Sequence, residues 1–187
     1  MKKHVFLTGS PGVGKTTLVK KVCEWMVSTN VSVNGFYTVE LRELGKRVGF
    51  DVVTLTGERG PLSRVGNNAP AGSRESRVGQ YVVDLPSFEN LVLPLFQNMG
   101  KSDPSVFIID EIGKMELFSL AFIHAVRQAL DNSTCSILGT IPIPKGKPLG
   151  LVEEIRARKD VKVFMVTKEN RVAIIDEIVV ALKECVK

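Results

Sequence analysis

The chain is poor in the residues that build disulfide frameworks and metal sites. It has 187 residues, of which only two are histidines and three are cysteines. Cys23, Cys135 and Cys185 are far apart in the sequence and form no C-x-x-C pair. A small, odd and scattered set of this kind favours neither a disulfide-stabilised fold nor a zinc site.

The chain also lacks an apolar run long enough to cross a membrane. The apolar residues near its start reach a glycine-rich segment, residues 9–14, after only a few positions, so no secretory leader is predicted. We therefore expect a cytoplasmic protein. With 44% hydrophobic and 24% charged residues, we expect one ordered domain over residues 1–187.

The positive charge is not concentrated in blocks. The net charge is +5, but lysine and arginine are spread along the whole sequence. This pattern favours a phosphate-bearing small molecule, while a nucleic-acid partner is possible but not favoured. We expect a monomer.

The first motif that carries chemistry is Gly9-Ser10-Pro11-Gly12-Val13-Gly14-Lys15-Thr16, which fits G-x-x-x-x-G-K-[ST]. It follows the apolar run of residues 5–7 and opens a segment with helical spacing, residues 15–28. Glycines at this position let backbone N–H groups surround a phosphate at a helix N-terminus. Lys15 is expected to contact the β- and γ-phosphates of a nucleotide, and the Thr16 hydroxyl to bind Mg²⁺.

The second motif ends an apolar strand in two acidic residues. Residues 106–109 are Val-Phe-Ile-Ile, and Asp110 and Glu111 follow. In a parallel sheet this strand end lies beside the glycine-rich motif of residues 9–16, which we call the phosphate loop. Asp110 is therefore predicted to bind magnesium, and Glu111 to activate a water molecule.

Strand and helix patterns alternate along the chain. Residues 34–41 and 48–55 read as an antiparallel hairpin, and residues 57–77, rich in Gly, Pro, Ser and Arg, as a long loop. We predict strands over 78–85, 105–110, 136–140 and 161–166. We predict helices that begin near Ser87, Leu117 and Leu151, and a last helix capped by Asn170. The fold class is therefore α/β, with a mainly parallel sheet between helical layers and an inserted antiparallel hairpin.

Two smaller signals follow other predicted strands. Thr140 could sense the γ-phosphate or the attacking water, although an ordinary strand residue has the same appearance. Residues 167–170, Thr-Lys-Glu-Asn, resemble the [NT]-K-x-D base reader of GTPases, with Asn170 in place of aspartate. Because an amide does not accept both guanine donors as a carboxylate does, weak base discrimination is expected.

The predicted loop carries arginines that could reach a transition state or a second substrate: Arg59, Arg64, Arg74 and Arg77. Lys114 follows the acidic pair closely enough for the same role. A solvated loop surface is the commoner explanation for such cations.

Longer blocks resemble the THEP1-type nucleoside-triphosphatase family over essentially the whole chain. They include residues 4–17, 35–38, 49–55, 60–66, 110–118 and 161–171. The resemblance implies a RecA-like sheet and slow, Mg²⁺-dependent hydrolysis of several triphosphates (ATP, GTP, CTP and UTP).

The nucleotide-binding residues expected from the motifs and the resemblance form three groups. They are Gly9, Ser10, Pro11, Gly12, Val13, Gly14, Lys15, Thr16 and Thr17; Val106, Phe107, Ile108, Ile109, Asp110, Glu111, Ile112 and Gly113; and Asn170. Lys15 and Glu111 are the expected catalytic residues, and Thr16 and Asp110 the expected metal ligands.

Two other functions remain open at this point. A P-loop kinase would bind a nucleoside, nucleotide or nucleic-acid end through the arginine-rich segment and transfer the γ-phosphate to it. A regulatory switch would use hydrolysis only as a timer.

Overall fold

The fold alternates strands and helices around one sheet. The computed structural model describes residues 1–66, 76–101, 105–132 and 134–186. The strands are β1 (His4–Gly9), β2 (Ser32–Glu43), β3 (Lys46–Thr54), β4 (Arg59–Val65), β5 (Arg77–Val78), β6 (Tyr81–Val83), β7 (Ser105–Asp110), β8 (Ser136–Pro142) and β9 (Val161–Met165). The helices are α1 (Lys15–Ser28), α2 (Leu85–Gln97), α3 (Leu120–Asn132), α4 (Gly150–Ala157) and α5 (Ile174–Cys185), and a 3₁₀ turn, Glu116–Phe118, precedes α3. Within these residues no helix is long and apolar enough to cross a bilayer.

The strands form one nine-stranded sheet in the order β5-β6-β4-β3-β2-β7-β8-β1-β9. Neighbours among β2, β7, β8, β1 and β9 pair in parallel. Strands β3, β4, β6 and β5 continue the sheet in antiparallel pairing. The carboxyl ends of the parallel strands therefore share one edge, where ligands of open α/β sheets bind.

Each central strand contributes side chains to a core on both faces of the sheet. In β1, Val5 and Leu7 pack with α1 and α5, while Phe6 packs into the opposite core. Strand β7 alternates in the same way, with Ile108 on the α1 face and Phe107 on the other. Because both faces are covered, such strands read as continuous apolar runs. The predicted α/β arrangement of layers is confirmed.

Aromatic side chains organise the core on the face opposite α1. The rings of Phe36, Phe88 and Phe122 contact one another edge to face, with centroids 5.1 to 6.2 Å apart. They come from β2, α2 and α3 respectively. This cluster fixes the antiparallel part of the sheet and two helices to the parallel part.

The antiparallel part is larger than the hairpin that the sequence predicts. Strands β2 and β3 pair over the expected residues, with Tyr37 opposite Val53. The prediction of a loop over residues 57–77 is wrong for β4, which pairs with β3. Composition misled the prediction because this strand is held by backbone pairing and by the burial of Leu62 and Ser63, without an apolar run. Arg74, which the sequence also suggests for contact with a transition state or a second substrate, lies outside the described residues.

Three helix starts also differ from the prediction. Helix α3 begins at Leu120, after the 3₁₀ turn, and not near Leu117. Helix α2 begins at Leu85, and its cap is Asp84, whose carboxylate accepts a hydrogen bond from the backbone N–H of Ser87 at 3.1 Å. The strand predicted over residues 78–85 is instead two short antiparallel strands, β5 and β6, and residue 85 belongs to the helix. Helix α5 begins at Ile174, so Asn170 does not cap it. Instead, the Asn170 side chain hydrogen-bonds within its own loop, as described below.

His4 ties three elements together at the amino end of β1. Its Nδ1 accepts a hydrogen bond from the N–H of Ile137 at 3.0 Å, so the proton lies on Nε2, which contacts the Leu130 carbonyl at 3.1 Å. The side chain is fully buried. Burial lowers the pKa of His4 from 6.5 to about 4. The neutral ring is therefore the form that the fold stabilises.

This histidine should make stability pH-dependent on the acid side. Since the unfolded chain binds a proton at this residue below about pH 6.5 and the folded chain only near pH 4, the stability that the neutral ring contributes should fall as the pH drops through this window. At about 1.4 kcal/mol per pKa unit, the free energy of unfolding loses about 3 kcal/mol of this contribution near pH 4. Denaturant unfolding at pH 7, 6, 5 and 4.5 would measure it.

The chain offers a matched control, because its other histidine, His124, is exposed. His4→Asn keeps a hydrogen-bond acceptor near Ile137 but removes the titrating ring, so the stability that it loses relative to the wild type should become smaller between pH 7 and pH 4.5. His124→Asn should keep the wild-type dependence. Equal slopes in the two variants would contradict this role of His4.

Candidate functional site

The glycine-rich segment forms the turn between β1 and α1. Strand β1 ends at Gly9, and α1 begins at Lys15 directly after Gly14, which caps it in a left-handed conformation with φ of 108°. No side chain caps the first N–H groups of α1, and no acidic residue lies in its first turn. The positive end of the helix is therefore available to an anion.

Gly9 is required by a close backbone contact. A Cβ atom at this position would lie 2.5 Å from the carbonyl oxygen of Val166, which follows β9. The N–H of Val166 in turn donates to the carbonyl of Thr8 at 2.8 Å. A larger residue would therefore displace the first residue of the phosphate loop from its support.

Lys15 is held by the loop that it would serve. Its ammonium group donates to the carbonyl oxygen of Gly9 at 2.6 Å, and the side chain is partly buried. The ammonium thus lies across the opening of the turn. Exchange of one carbonyl oxygen for phosphate oxygens would keep it in the same region.

Asp110 joins the phosphate loop to two neighbouring strands. Its Oδ2 accepts a hydrogen bond from the Thr16 hydroxyl at 2.7 Å, and its Oδ1 accepts one from the Thr140 hydroxyl at 2.5 Å. Its side chain is buried, with 2% of the residue exposed. Burial raises the pKa of Asp110, while the hydrogen bonds from Thr140 and Thr16 and the charge of Lys15 oppose that shift. Two segments far apart in sequence therefore meet in one contact.

The donor set at this point fits magnesium. Thr16 and Asp110 supply hydroxyl and carboxylate oxygens, the atoms that Mg²⁺ prefers. Groups of three or more His, Cys, Asp or Glu able to hold a metal do not occur among the described residues. A few protein oxygens combined with substrate phosphates are the usual way in which Mg²⁺ is bound.

A tight turn after β7 brings a second carboxyl group to the site. Glu111 is half-buried, and burial together with the charge of Asp110 raises its pKa, while Lys15 lowers it. Glu116 lies beneath the turn and accepts a hydrogen bond from the N–H of Gly113 at 3.1 Å. Burial raises the pKa of Glu116 to about 8, and the charge of Glu111 adds to the shift. At neutral pH Glu116 is therefore mostly protonated, and it braces Gly113 without adding a full negative charge.

A cavity of about 570 Å³ lies between the phosphate loop and this turn. Of the residues that the sequence predicts for the site, Gly9, Ser10, Pro11, Lys15, Glu111 and Gly113 line it, as does Lys114. The opposite wall belongs to the segment that follows β8, residues 142–153. Its volume is typical of small-molecule sites. We name it the nucleotide cavity.

Other predicted residues do not reach this cavity. Val106, Phe107, Ile108, Ile109 and Ile112 are buried in the two cores, so their side chains can only position the acidic residues. The Thr140 hydroxyl is also fully buried and supports Asp110, so it does not face the cavity as a sensor would. Thr17 is on the exposed surface of α1.

Asn170 uses its amide to close its own loop. Its Oδ1 accepts a hydrogen bond from the N–H of Thr167 at 2.8 Å, and its Nδ2 donates to the carbonyl of Met165 at 2.8 Å. The next residue, Arg171, donates from Nη1 to the carbonyl of Val13 at 3.3 Å. This loop therefore touches the phosphate loop through an arginine that the sequence motifs did not single out.

The predicted arginines separate into two groups. Arg59 and Arg64 both lie in β4 and both pair with Asp51 of β3, with nitrogen-to-oxygen distances of 2.6 Å. These ion pairs hold strands β3 and β4 together, so neither arginine is poised for the nucleotide. Arg77 lines a different cavity, next to Lys114.

Sequence reasoning also missed the wall formed by residues 142–149. This segment contains Lys145 and Lys147, and both line the nucleotide cavity. Two lysines among prolines directly after an apolar strand were the available signal. The carboxyl end of a parallel strand is where ligand-binding residues are expected.

Comparisons with known proteins identify the family of the chain. The family model described as NTPase matches residues 4–179. The human protein named cancer-related nucleoside-triphosphatase is 63% identical over 98% of this chain and 98% of its own length.

Two solved structures have the same fold. The solution structure of a human cancer-related nucleoside triphosphatase superposes with a TM-score of 0.86 over 99% of this chain and 100% of that one, at 63% identity. The crystal structure of THEP1 from the hyperthermophile Aquifex aeolicus gives 0.82 over 98% and 99%, at 37% identity.

The support that Thr140 gives to Asp110 should be measurable in the protein without ligand. Thr140→Val keeps the shape of the side chain but leaves Oδ1 of Asp110 without this donor, and we expect a loss of about 1 to 3 kcal/mol in unfolding free energy. Thr140→Ser retains a hydroxyl and should lose less than half as much. Denaturant unfolding followed by circular dichroism tests this, and equal losses in both variants would contradict the role of the hydroxyl.

Proposed function

Because the chain belongs to the NTPase family, we propose that it hydrolyses nucleoside triphosphates to diphosphate and phosphate in the nucleotide cavity. The observation that carries this proposal is the contact of Thr16 with Asp110 at 2.7 Å, beside the free N-terminus of α1. It joins a phosphate-binding turn to an acidic strand end. The single-domain organisation, the monomeric state and the cytoplasmic location stay predictions.

We propose that the triphosphate binds along the turn of residues 9–16. Its β-phosphate would accept hydrogen bonds from the backbone N–H groups before α1, where the helix adds partial positive charge. Lys15 would turn from the Gly9 carbonyl to the β- and γ-phosphates. The charge of Lys145 and Lys147 on the opposite wall also favours an anion.

Thr16 and Asp110 are proposed to hold Mg²⁺. When bound there, the ion would neutralise charge on the phosphate oxygens. Because Asp110 is buried, a cation beside it would also offset the cost of an ionised carboxylate in the core. Thr140 keeps the carboxylate in position from the other side.

Glu111 is proposed to act as the general base. It lines the nucleotide cavity together with Lys15 and Gly113, on the side where the terminal phosphate would lie. The water oxygen forms a bond to the γ-phosphorus, the bond from that phosphorus to the bridging oxygen breaks, and Glu111 takes the water proton. Glu116 holds the Gly113 N–H and so fixes the turn that carries Glu111.

Several bases should be accepted as substrates. The oxygen of the Asn170 amide already accepts from Thr167 and its nitrogen already donates to Met165, so a base edge would have to share these groups with the loop. Recognition would then rest on the triphosphate, which ATP, GTP, CTP and UTP share. Without a polar group that pairs only with one base, discrimination is weak.

Glu111→Gln should separate chemistry from binding. We expect kcat to fall about 100-fold or more, because the amide cannot take the proton, while the affinity for a triphosphate changes little. Phosphate release and equilibrium binding of the non-hydrolysable analogue AMP-PNP with Mg²⁺ would measure the two effects.

Lys15→Ala serves as the comparison, since the ammonium contacts charge in both ground and transition states and both quantities should suffer. Removal of Mg²⁺ with a chelator should abolish turnover in the wild type, and added Mg²⁺ should restore it. Full turnover in Glu111→Gln would show that another group accepts the proton.

We also expect the enzyme to hydrolyse triphosphates of different bases with similar efficiency. We predict kcat/KM values for ATP, GTP, CTP and UTP that agree within about tenfold, equivalent to about 1.4 kcal/mol in transition-state binding. Parallel phosphate-release assays at limiting substrate would give them. A preference of a hundredfold or more for one base would mean that residues other than Asn170 and its loop recognise the base.

A further inference from the structure

A second cavity, of about 700 Å³, shares a wall with the nucleotide cavity. The residues common to both are Lys114, Lys147, Pro148 and Leu149. Since Lys114 also belongs to the turn that carries Glu111, this wall lies on the side proposed for the γ-phosphate. The second cavity therefore adjoins the reacting end of the triphosphate and not the helix α1 that follows the phosphate loop.

The charge of this second cavity has one sign. Its described lining contains four cations, Arg77, Lys114, Arg127 and Lys147, and no carboxylate. The ammonium groups of Lys114 and Lys147 have no carboxylate at ion-pair distance within the part of the chain that the structure describes. A cavity lined in this way attracts an anion, and several cations favour a dianion over a monoanion.

Arg127 retains donors for a ligand although it has a partner. Its Nε and Nη2 pair with the carboxylate of Glu154 at 3.0 and 2.6 Å, so Nη1 is not part of this pair. Both side chains are about half exposed, and such pairs contribute little to stability. The ion pair orients the guanidinium but leaves the N–H donors of Nη1 for a ligand.

The rest of the lining is apolar. Leu117, Phe118 and Ile123 contribute side chains from the 3₁₀ turn and the start of α3. Phe118 is 39% exposed and is the one aromatic residue among the large hydrophobic side chains that the described part of the chain exposes. An exposed ring beside cations is suited to stack on a flat, weakly polar group.

We propose that this second cavity binds a small phosphate monoester with a flat ring system, of the size of a nucleoside monophosphate. The phosphate would be bound by Lys114, Lys147 and Arg127, and the ring system would pack on Phe118. The cavity volume falls within the range typical of ligand sites, with enough room for such a molecule. This site is additional to the one that hydrolyses the triphosphate, and the two could be filled together.

AMP is the probe for the test, added to the full chain saturated with AMP-PNP and Mg²⁺. Titration calorimetry and ¹H–¹⁵N NMR spectra should show saturable AMP binding, with one AMP per chain, and shifts of the amides of residues 117–127. AMP that binds only by displacing AMP-PNP, or no saturable binding while AMP-PNP binds, would overturn the proposal. So would binding of a 5′-phosphorylated oligonucleotide where AMP does not bind.

Variants that touch only the second cavity make the test specific. Arg127→Ala should weaken AMP about tenfold, because one charge-assisted contact to phosphate is lost. Glu154→Ala removes the partner of that arginine but keeps the cation, so AMP affinity should stay the same or rise. If both variants weakened AMP equally, the ion pair and not the ligand contact would be the cause, and the proposal would fail.

A second pair of variants tests the apolar part of the cavity lining, with one change inside the cavity and one outside it. Phe118→Ala should weaken AMP at least about threefold through lost stacking, whereas Leu120→Ala, which changes a residue 79% exposed outside the cavity, should not. All four variants should retain AMP-PNP affinity and triphosphate hydrolysis, since none of these residues lines the nucleotide cavity. Failure of the wild type to bind AMP-PNP would instead contradict the proposed hydrolysis, and the AMP titrations of the four variants would still decide this inference.

Discussion

The carboxylate of Asp110 is the contact on which the site depends. A buried acid is costly unless its oxygens are hydrogen-bonded, and here each oxygen accepts from a threonine hydroxyl, Thr16 on one side and Thr140 on the other. These donors come from the start of α1, a helix that packs on one face of β7, and from β8, which pairs with β7 in the sheet. One side chain therefore sets the distance between the phosphate loop and the acidic strand end. Any displacement of β7 relative to β1 would break a charge-assisted hydrogen bond in the core.

The sequence predicts best those features in which one local pattern determines one structure. The glycine turn, α1 and the apolar strand β7 all have the predicted bounds, because glycine spacing, helical periodicity and a continuous apolar run each have a single reading there. The strand β4 was missed, since its stability comes from pairing with β3 and its residues, rich in glycine, proline and arginine, resemble a loop. Strand pairing is a long-range interaction, and no local pattern reports it.

Site residues follow the same division. The positions of Lys15, Thr16 and Asp110 could be predicted because their motifs state both residue type and location in the fold. Glu116 could not, because a lone glutamate in a charged stretch gives no sign that it is buried beneath Gly113. The roles of Arg59 and Arg64 were likewise open until their shared partner, Asp51, was known.

The free energy of nucleotide binding is expected to come mainly from those polar groups of the site that have no protein partner. Around the proposed triphosphate position, the first N–H groups of α1 lack a side-chain cap, and Lys145 and Lys147 add positive charge, so an anion would gain contacts that water otherwise supplies. In the loop of residues 165–171, by contrast, the oxygen and the nitrogen of the Asn170 amide each have a partner already, and a base would have to share or displace those bonds. Since a hydrogen bond exchanged for another of equal quality adds little free energy, selection among bases has a weak physical basis. A chain proposed to bind the triphosphate through its phosphates is therefore expected to tolerate different bases.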